Sequence, residues 1–346
     1  MNPVRIGLIG YGYAGRVFHA PLIDSVAQTA LACIASSRPA EVLASRPASK
    51  VVADPCDILR DDAIELVVVA TPNDSHAKWA RAALEAGKDV IVEKPFATTL
   101  AEARALCTTA RERGRLLAVF HNRRWDSDFL TVKRTIESGA IGRVAHFESH
   151  FDRYRPHLRE RWREGRGPGA GIWYDLAPHL IDQAILLFGL PKGITATLRK
   201  LRKGALADDW AHAVLHYEDA SVILHASMLV AGGSPRFVVH GDKGSLVKRK
   251  PDQQEAQLLS GVLPGTAQWG RDDDPACRWD ESGMEFSDPP CRGDQRIFYE
   301  EIAAAVRGEA LNPTPAPQIL AVMAVIEAGI RSSSEGRTVV PDFEVQ

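Results

Sequence analysis

No uncharged run in this 346-residue chain approaches the roughly 18 residues that a membrane-spanning helix needs. The segment Met1 to Arg5 leads straight into the apolar stretch Ile6 to Ile9, without the charged, long apolar and small-residue order of a secretory signal. Five cysteines, Cys33, Cys56, Cys107, Cys277 and Cys291, are odd in number and form no C-x-x-C pair, which argues against a disulfide framework or a zinc ribbon. A soluble cytoplasmic protein in a reducing compartment is expected. An excess of charge is missing too: Lys plus Arg number 42 against 44 Asp plus Glu, so nothing pulls the chain toward nucleic acid or an acidic membrane surface. Internal repeats and low-complexity segments are absent. What remains is ordinary globular composition, 45% apolar and 25% charged, and a length that predicts about two domains at roughly 150 residues each.

The first third alternates strand-like and helical patterns. Val4 to Ile9, Leu31 to Ala35, Leu66 to Ala70, Val90 to Val92 and Leu116 to Phe120 are apolar without polar alternation, as in parallel strands buried on both faces. Between them, Ser75 to Ala86 places Ala80, Ala83 and Leu84 on one helical face and ends at Gly87. An α/β doubly wound Rossmann-type sheet over 1–121 follows. Beyond it the period changes to two: Ala145, Phe147, Ser149 and Phe151 alternate with His146, Glu148, His150 and Asp152. Ala211 to Val230 and Arg236 to Val247, the latter broken at Gly241 to Gly244, predict further strands. Residues 122–346 therefore read as a second α/β domain with a largely antiparallel open sheet. Residues 251–293, rich in Gly, Pro and Asp, read as long surface loops, and Ile319 to Ile330 as a helix after Pro313, Pro315 and Pro317.

Gly10-Tyr11-Gly12-Tyr13-Ala14-Gly15 is a G-x-G-x-x-G between the first strand and a helical pattern. Gly10 allows the tight turn, Gly12 removes the side chain that would block a pyrophosphate, and Gly15 lets helix and strand pack closely. A helix start there offers free N–H groups to phosphate. The end of the second strand selects the cofactor, because an acid there binds the ribose hydroxyls of NAD. Here it runs Ser36-Ser37-Arg38, and hydroxyls with a guanidinium suit a 2′-phosphate. NADP is favoured; Glu41 is close enough to leave NAD as the second choice.

Two sets of residues can do chemistry. Val90 to Val92 leads into Glu93-Lys94-Pro95, which puts an ammonium at the carboxyl end of a central parallel strand, where open α/β sheets bind ligands. It is placed to stabilise a developing alkoxide or relay a proton. A helix beginning around Asp175 to Pro178 would put Asp175, His179 and Asp182 on one side at i, i+4 and i+7. A carboxylate one turn away orients an imidazole and raises its basicity; a solvated face with an ordinary Asp–His pair fits the spacing equally well. The other histidines stand singly or in pairs on strand patterns, so no metal site is expected. Arg153 to Arg166 holds six arginines with Tyr154, His157 and Trp162, a stretch suited to a hydroxyl-rich or anionic substrate, with Trp162 against an apolar ring face, or to subunit contacts.

Taken in order, the fingerprint Gly10 to Gly15, Thr71-Pro72-Asn73 with His76, Glu93-Lys94-Pro95 and the Asp175 to His179 spacing resemble the glucose-fructose oxidoreductase and inositol dehydrogenase family (Gfo/Idh/MocA) over nearly the whole chain. Phe18 to Leu22, His121 to Asp126, Arg153 to Pro156 and Arg161 to Glu164 look like its NADP-dependent scyllo-inositol dehydrogenase branch. The resemblance implies that Lys94, Asp175 and His179 match the family's catalytic lysine, aspartate and histidine. It implies that Thr71, Pro72, Asn73, His76 and Glu93 stand by the cofactor, and that the open sheet often joins subunits, as in a homodimer or tetramer. Arg123, Arg153, Tyr154 and Trp162 are the candidate substrate contacts. Ala177 departs from the glycine common in the family at that place. The expected reaction moves hydride between NADP and a secondary alcohol or ketone of a polyol or sugar, scyllo-inositol among them. His179 takes the hydroxyl proton, Asp175 steadies the imidazolium and Lys94 stabilises the alkoxide. A glycosidase using tightly held NAD and a non-catalytic dinucleotide sensor are the alternatives.

Overall fold

The computed structural model describes residues 2–344. Six strands, β1 (Val4–Ile9), β2 (Thr29–Ala35), β3 (Val51–Val52), β4 (Leu66–Val69), β5 (Asp89–Val92) and β6 (Leu117–Val119), form one parallel sheet in the order β3-β2-β1-β4-β5-β6. The strand order reverses between β1 and β4, and the crevice beyond the carboxyl ends of these two parallel strands is where such sheets bind ligands. Leu66 to Val69 are all buried, as continuous apolar strands covered on both faces require.

Eight strands make the second sheet: β7 (Val144–Asp152), β8 (Gly193–Arg199), β9 (Trp210–His216), β10 (Ser221–Ser227), β11 (Phe237–Gly241), β12 (Gly244–Lys248), β13 (Ala276–Asp280) and β14 (Glu285–Asp288). Their order is β14-β13-β12-β11-β7-β10-β9-β8, antiparallel except for β7 beside β10. The period-two reading of β7 holds, with Phe147 and Phe151 buried and His146, Glu148 and His150 half-buried on the opposite face.

Three expectations are corrected. Residues 251–293 are not loops throughout, since they contain the helix Gln254–Leu259 and the strands β13 and β14. These strands lie at the sheet edge and are mostly half-buried or exposed, so they carry little apolar alternation to read. The helix expected from about Asp175 starts at Ile172 and runs to Phe188, with Pro178 inside it. The helix at 319–330 spans Ala316–Glu335, because Pro315 and Pro317 sit at its start, where a missing N–H is tolerated.

The chain's second half also returns to the first sheet. One face of that sheet, with Val67, Val69, Val90 and Val92, shares a continuous core with the helices Ile172–Phe188 and Ala316–Glu335. The other face, with Ile6, Leu8, Val68 and Ile91, is covered by Leu22 and Ile23 and by Trp269, Phe298 and Tyr299. Val119 N donates to Thr314 Oγ1 at 3.0 Å and Asn312 Nδ2 to Leu117 O at 2.8 Å. These contacts fix the start of the helix Ala316–Glu335 against β6, and that helix packs on the one carrying Asp175 and His179.

Candidate functional site

The fingerprint turn follows β1. Gly10 has φ 100°, and a Cβ there would fall 2.5 Å from Ala70 O at the end of β4. A Cβ at Gly15 would collide with the Gly10 carbonyl oxygen. These two glycines are therefore demanded by the turn itself, whereas Gly12 faces open space with nothing within 4 Å of its would-be Cβ. A wide helical turn, Gly15–His19, leads into the helix Ala20–Asp24.

A groove of about 470 Å³ runs along these carboxyl ends. Gly10 to Ala14 form its floor, Ser36, Ser37 and Arg38 one end, and Thr71 to Asn73 with Glu93 and Lys94 the other. Gly15 is buried behind the floor. Arg38 is exposed, with its guanidinium 3.0 Å from Glu41, a surface pair that contributes little. Asn73 Nδ2 donates to Gly169 O at 3.0 Å. His76 is fully buried, its ring nitrogens 2.9 Å from the carbonyl oxygens of Pro95 and Thr71. It braces the two loops at the groove's inner end. Behind Glu93, buried His19 lies 3.0 Å from the carboxylate and 2.5 Å from Tyr299 Oη, while the other carboxylate oxygen accepts the Lys94 amide at 2.9 Å.

Lys94 and His179, 85 positions apart, line the same small cavity of about 90 Å³. Lys94 Nζ donates to Asp175 Oδ1 at 3.0 Å and to Asp175 O at 2.7 Å. The second acceptor lies one residue past Tyr174, whose carbonyl is left without its helical N–H by Pro178. Burial would push the Asp175 carboxyl up, but Lys94, Arg163 and Arg153 hold it well below the usual carboxylate range. Its ion pairs are with Lys94 and, at 3.5 Å, with Arg163. The Asp175 carboxylate is thus paired with Lys94, and no hydrogen bond joins that side chain to the His179 ring among the described residues. Burial, helped by Lys94, Arg123, His121 and Arg236, drives the His179 pKa well below that of an ordinary histidine. Its Nδ1 is buried without a hydrogen-bond partner. Asp182 is held by Arg124 at 2.8 and 2.5 Å and is buried, so this side of the helix is not a solvated face.

Of the candidate substrate contacts, Arg123 and Arg153 line the cavity shared by Lys94 and His179, and Trp162 lines the groove and the larger chamber beside it. Tyr154 is the exception. Period-two alternation turns it away from its neighbours, and at 60% exposure it lines none of these spaces. Glu255 was missed, and Arg163 was read only as part of the arginine stretch. Arg163 lines groove, cavity and chamber alike. Glu255 enters the cavity from the segment read as loops, accepting from Tyr13 Oη at 2.7 Å and pairing with Arg123 at 3.3 Å. Nothing in local spacing joins Tyr13 to a partner 242 positions away.

The comparisons decide the family. Residues 4–121 match the model of an oxidoreductase family's NAD-binding Rossmann fold, and residues 133–341 match its C-terminal alpha/beta domain. The chain belongs to the Gfo/Idh/MocA oxidoreductase family. Within it, the chain is 50% identical over 97% of its length to the uncharacterized oxidoreductase YdgJ of Escherichia coli (strain K12), covering 98% of that protein. It is 37% identical to the NADP-linked scyllo-inositol 2-dehydrogenase IolW of Bacillus subtilis (strain 168), over 98% of this chain and 96% of that one. A crystal structure from Klebsiella pneumoniae superposes with a TM-score of 0.93 at 52% identity, over 98% of this chain and 96% of that chain. As a Gfo/Idh/MocA member, the protein is an NAD(P)-dependent oxidoreductase of the dehydrogenase kind. Among the described residues, no helix is long and apolar enough to cross a membrane and no cluster of His, Cys, Asp and Glu is arranged to hold a metal ion.

Proposed function

We infer that the protein is an NADP-dependent dehydrogenase of a secondary alcohol in a polyol or sugar, acting on a small-molecule substrate held between Lys94 and His179. The observation that carries the reading is that an ammonium and an unprotonated imidazole, from separate domains of the sequence, line one cavity at the inner end of a dinucleotide groove. The similarity to an NADP-linked scyllo-inositol dehydrogenase supports the substrate class.

The groove fits a dinucleotide. Open space over Gly12 leaves room for a pyrophosphate, and the end formed by Ser36, Ser37 and Arg38 offers donors to a 2′-phosphate. A nicotinamide held at the Thr71 to Asn73 end supplies hydride exchange when bound. The chain's own groups handle the proton and the charge. His179, kept unprotonated by burial and by its cationic neighbours, accepts the hydroxyl proton of the alcohol. Lys94 Nζ, fixed by Oδ1 and the backbone carbonyl of Asp175, donates a hydrogen bond to the oxygen as it becomes alkoxide-like. Glu93, held by His19, anchors the Lys94 amide from behind.

A screen of inositols and aldoses against NADP and NAD, followed by absorbance of the reduced nicotinamide, tests the reading. Turnover with no soluble cofactor added would instead point to glycoside cleavage. Arg38→Ala separates the cofactors: losing a charge-assisted contact, weakened by its exposure, corresponds to about a 5- to 20-fold weaker NADP Kd with NAD unchanged. Equal loss for both would make Arg38 a structural residue.

A further inference from the structure

Beside the catalytic cavity lies a larger chamber of about 560 Å³, and its lining is dominated by arginine. We propose that this chamber is an oxyanion subsite, and that the substrate is a polyol or sugar carrying a phosphate ester or a carboxylate at the end away from the reacting carbon. The proposal deepens the dehydrogenase reading and rests on it for what reacts.

Tyr13, Arg153, Arg163 and Asp175 line both spaces, so the chamber opens onto the cavity that holds Lys94 and His179. Arg153, Arg155, Arg159 and Arg161 supply its positive charge. The first two are placed by the backbone: their amides donate to Ser227 O at 2.8 Å and Met228 O at 2.7 Å. This continues β7 alongside the end of β10, and residues two apart on an extended segment project to the same side. All four line this one chamber, and burial and then Arg153, Arg159 and Arg161 lower the pKa of Arg155.

Carboxylates lining the same chamber do not neutralise them. Glu164 and Asp209 are taken by Arg202 at 3.1 and 2.9 Å, Asp175 by Lys94 at 3.0 Å, and Glu255 by Arg123 at 3.3 Å. Asp208 accepts the Trp173 amide at 2.8 Å, and burial pushes its pKa up to about 6. Glu160, exposed on the arginine loop itself, and Asp208, whose partner is that backbone amide, are the two carboxylates left without an ion pair among the described residues that line the chamber.

The loop does not use these four side chains to keep its shape. Buried Arg202 does that work from beneath, donating to the carbonyls of Arg155 at 3.2 Å and His157 at 3.3 Å while clamping Glu164 and Asp209. Like charges are therefore gathered on a frame that other residues hold. Such a gathering is unfavourable alone and is relieved by an anion, whose oxygens match the planar fork of a guanidinium. The cofactor's phosphates are served elsewhere, since the dinucleotide groove shares Tyr13, Trp162 and Arg163 with the chamber but none of the four arginines. Trp162, with Arg163 stacked 4.7 Å from its ring, offers the apolar surface that a sugar ring covers.

The test is calorimetric binding to the full-length protein saturated with NADPH at fixed ionic strength, with glucose, glucose 6-phosphate and glucuronate as probes. At least one anion should bind about tenfold or more tightly than glucose, and the R155Q/R159Q double variant should reduce that preference to about twofold or less, with its melting temperature checked alongside. Preference for the phosphate alone or the carboxylate alone assigns the oxyanion. Three probes that bind alike or not at all, a preference that survives in the double variant, or anion binding that disappears on NADPH saturation would each overturn the subsite. Because the readout is affinity, failure of every alcohol to reduce a nicotinamide would sink the dehydrogenase reading while leaving the subsite judged on its own result.

Discussion

His179→Ala is expected to lower kcat for alcohol oxidation by on the order of 10²- to 10⁴-fold, the range that a positioned proton acceptor contributes, with NADP affinity changed less than about threefold. The separation follows from geometry, since His179 lines the cavity it shares with Lys94 but not the groove along Gly10 to Ala14. Stopped-flow single turnovers with titration of NADPH fluorescence read the two quantities independently, and a thermal melt reports any loss of packing at this buried position. The pH dependence carries the same assignment. An ordinary histidine titrates near pH ~6.5, and this one is driven well below that value, first by burial and then by Lys94 and three further basic neighbours. The neutral, proton-accepting form thus persists as pH falls, so the acid limb of kcat/KM for oxidation should lie below pH ~6.5. Near-normal turnover in the alanine variant would remove His179 from the mechanism.

Elements and roles were legible to different degrees, for physical reasons. The parallel strands could be read because burial on both faces leaves unbroken apolar runs, as in Leu66 to Val69. The fingerprint could be read because two of its glycines answer to backbone collisions that no other residue avoids. Strands β13 and β14 were illegible because these two outermost strands at one end of the sheet are mostly half-buried or exposed and so write no apolar pattern. Helix spacing found Asp175 and His179 but not the partner the carboxylate pairs with, because spacing along one helix cannot show a lysine arriving from a strand end 81 positions earlier. Glu255 reaches the site through tertiary packing of a loop-flanked segment, and nothing in its own neighbourhood marks it, whereas Arg163 was visible only as one member of the arginine stretch. The arginine stretch was visible as composition, yet its meaning depends on Arg202, which takes up the acids that would otherwise neutralise it.

Gly12→Val should abolish useful NADP binding without unfolding the protein, and the contrast with its neighbours is the point of the experiment. The would-be Cβ at Gly12 meets no protein atom within 4 Å, and the residue is exposed on the floor of the groove. Its added methyl groups therefore occupy the space left for the pyrophosphate rather than any part of the fold. Losing two charge-assisted hydrogen bonds of about 1.5–3 kcal/mol each corresponds to roughly a 10²- to 10⁴-fold weaker Kd. Gly15→Ala makes the opposite error. Its Cβ runs into the Gly10 carbonyl, so the turn and the following helix must separate, and overpacking of this kind costs about 1–3 kcal/mol of stability. Gly10→Ala adds the strain of a side chain at φ 100° to a close approach of 2.5 Å on Ala70 O. Differential scanning calorimetry and NADPH titration on the three variants should place Gly12→Val at a wild-type melting temperature with little binding, and the other two at lowered melting temperatures. If Gly12→Val instead bound NADPH normally, the cofactor would not pass over this turn, and the groove would have to hold some other ligand.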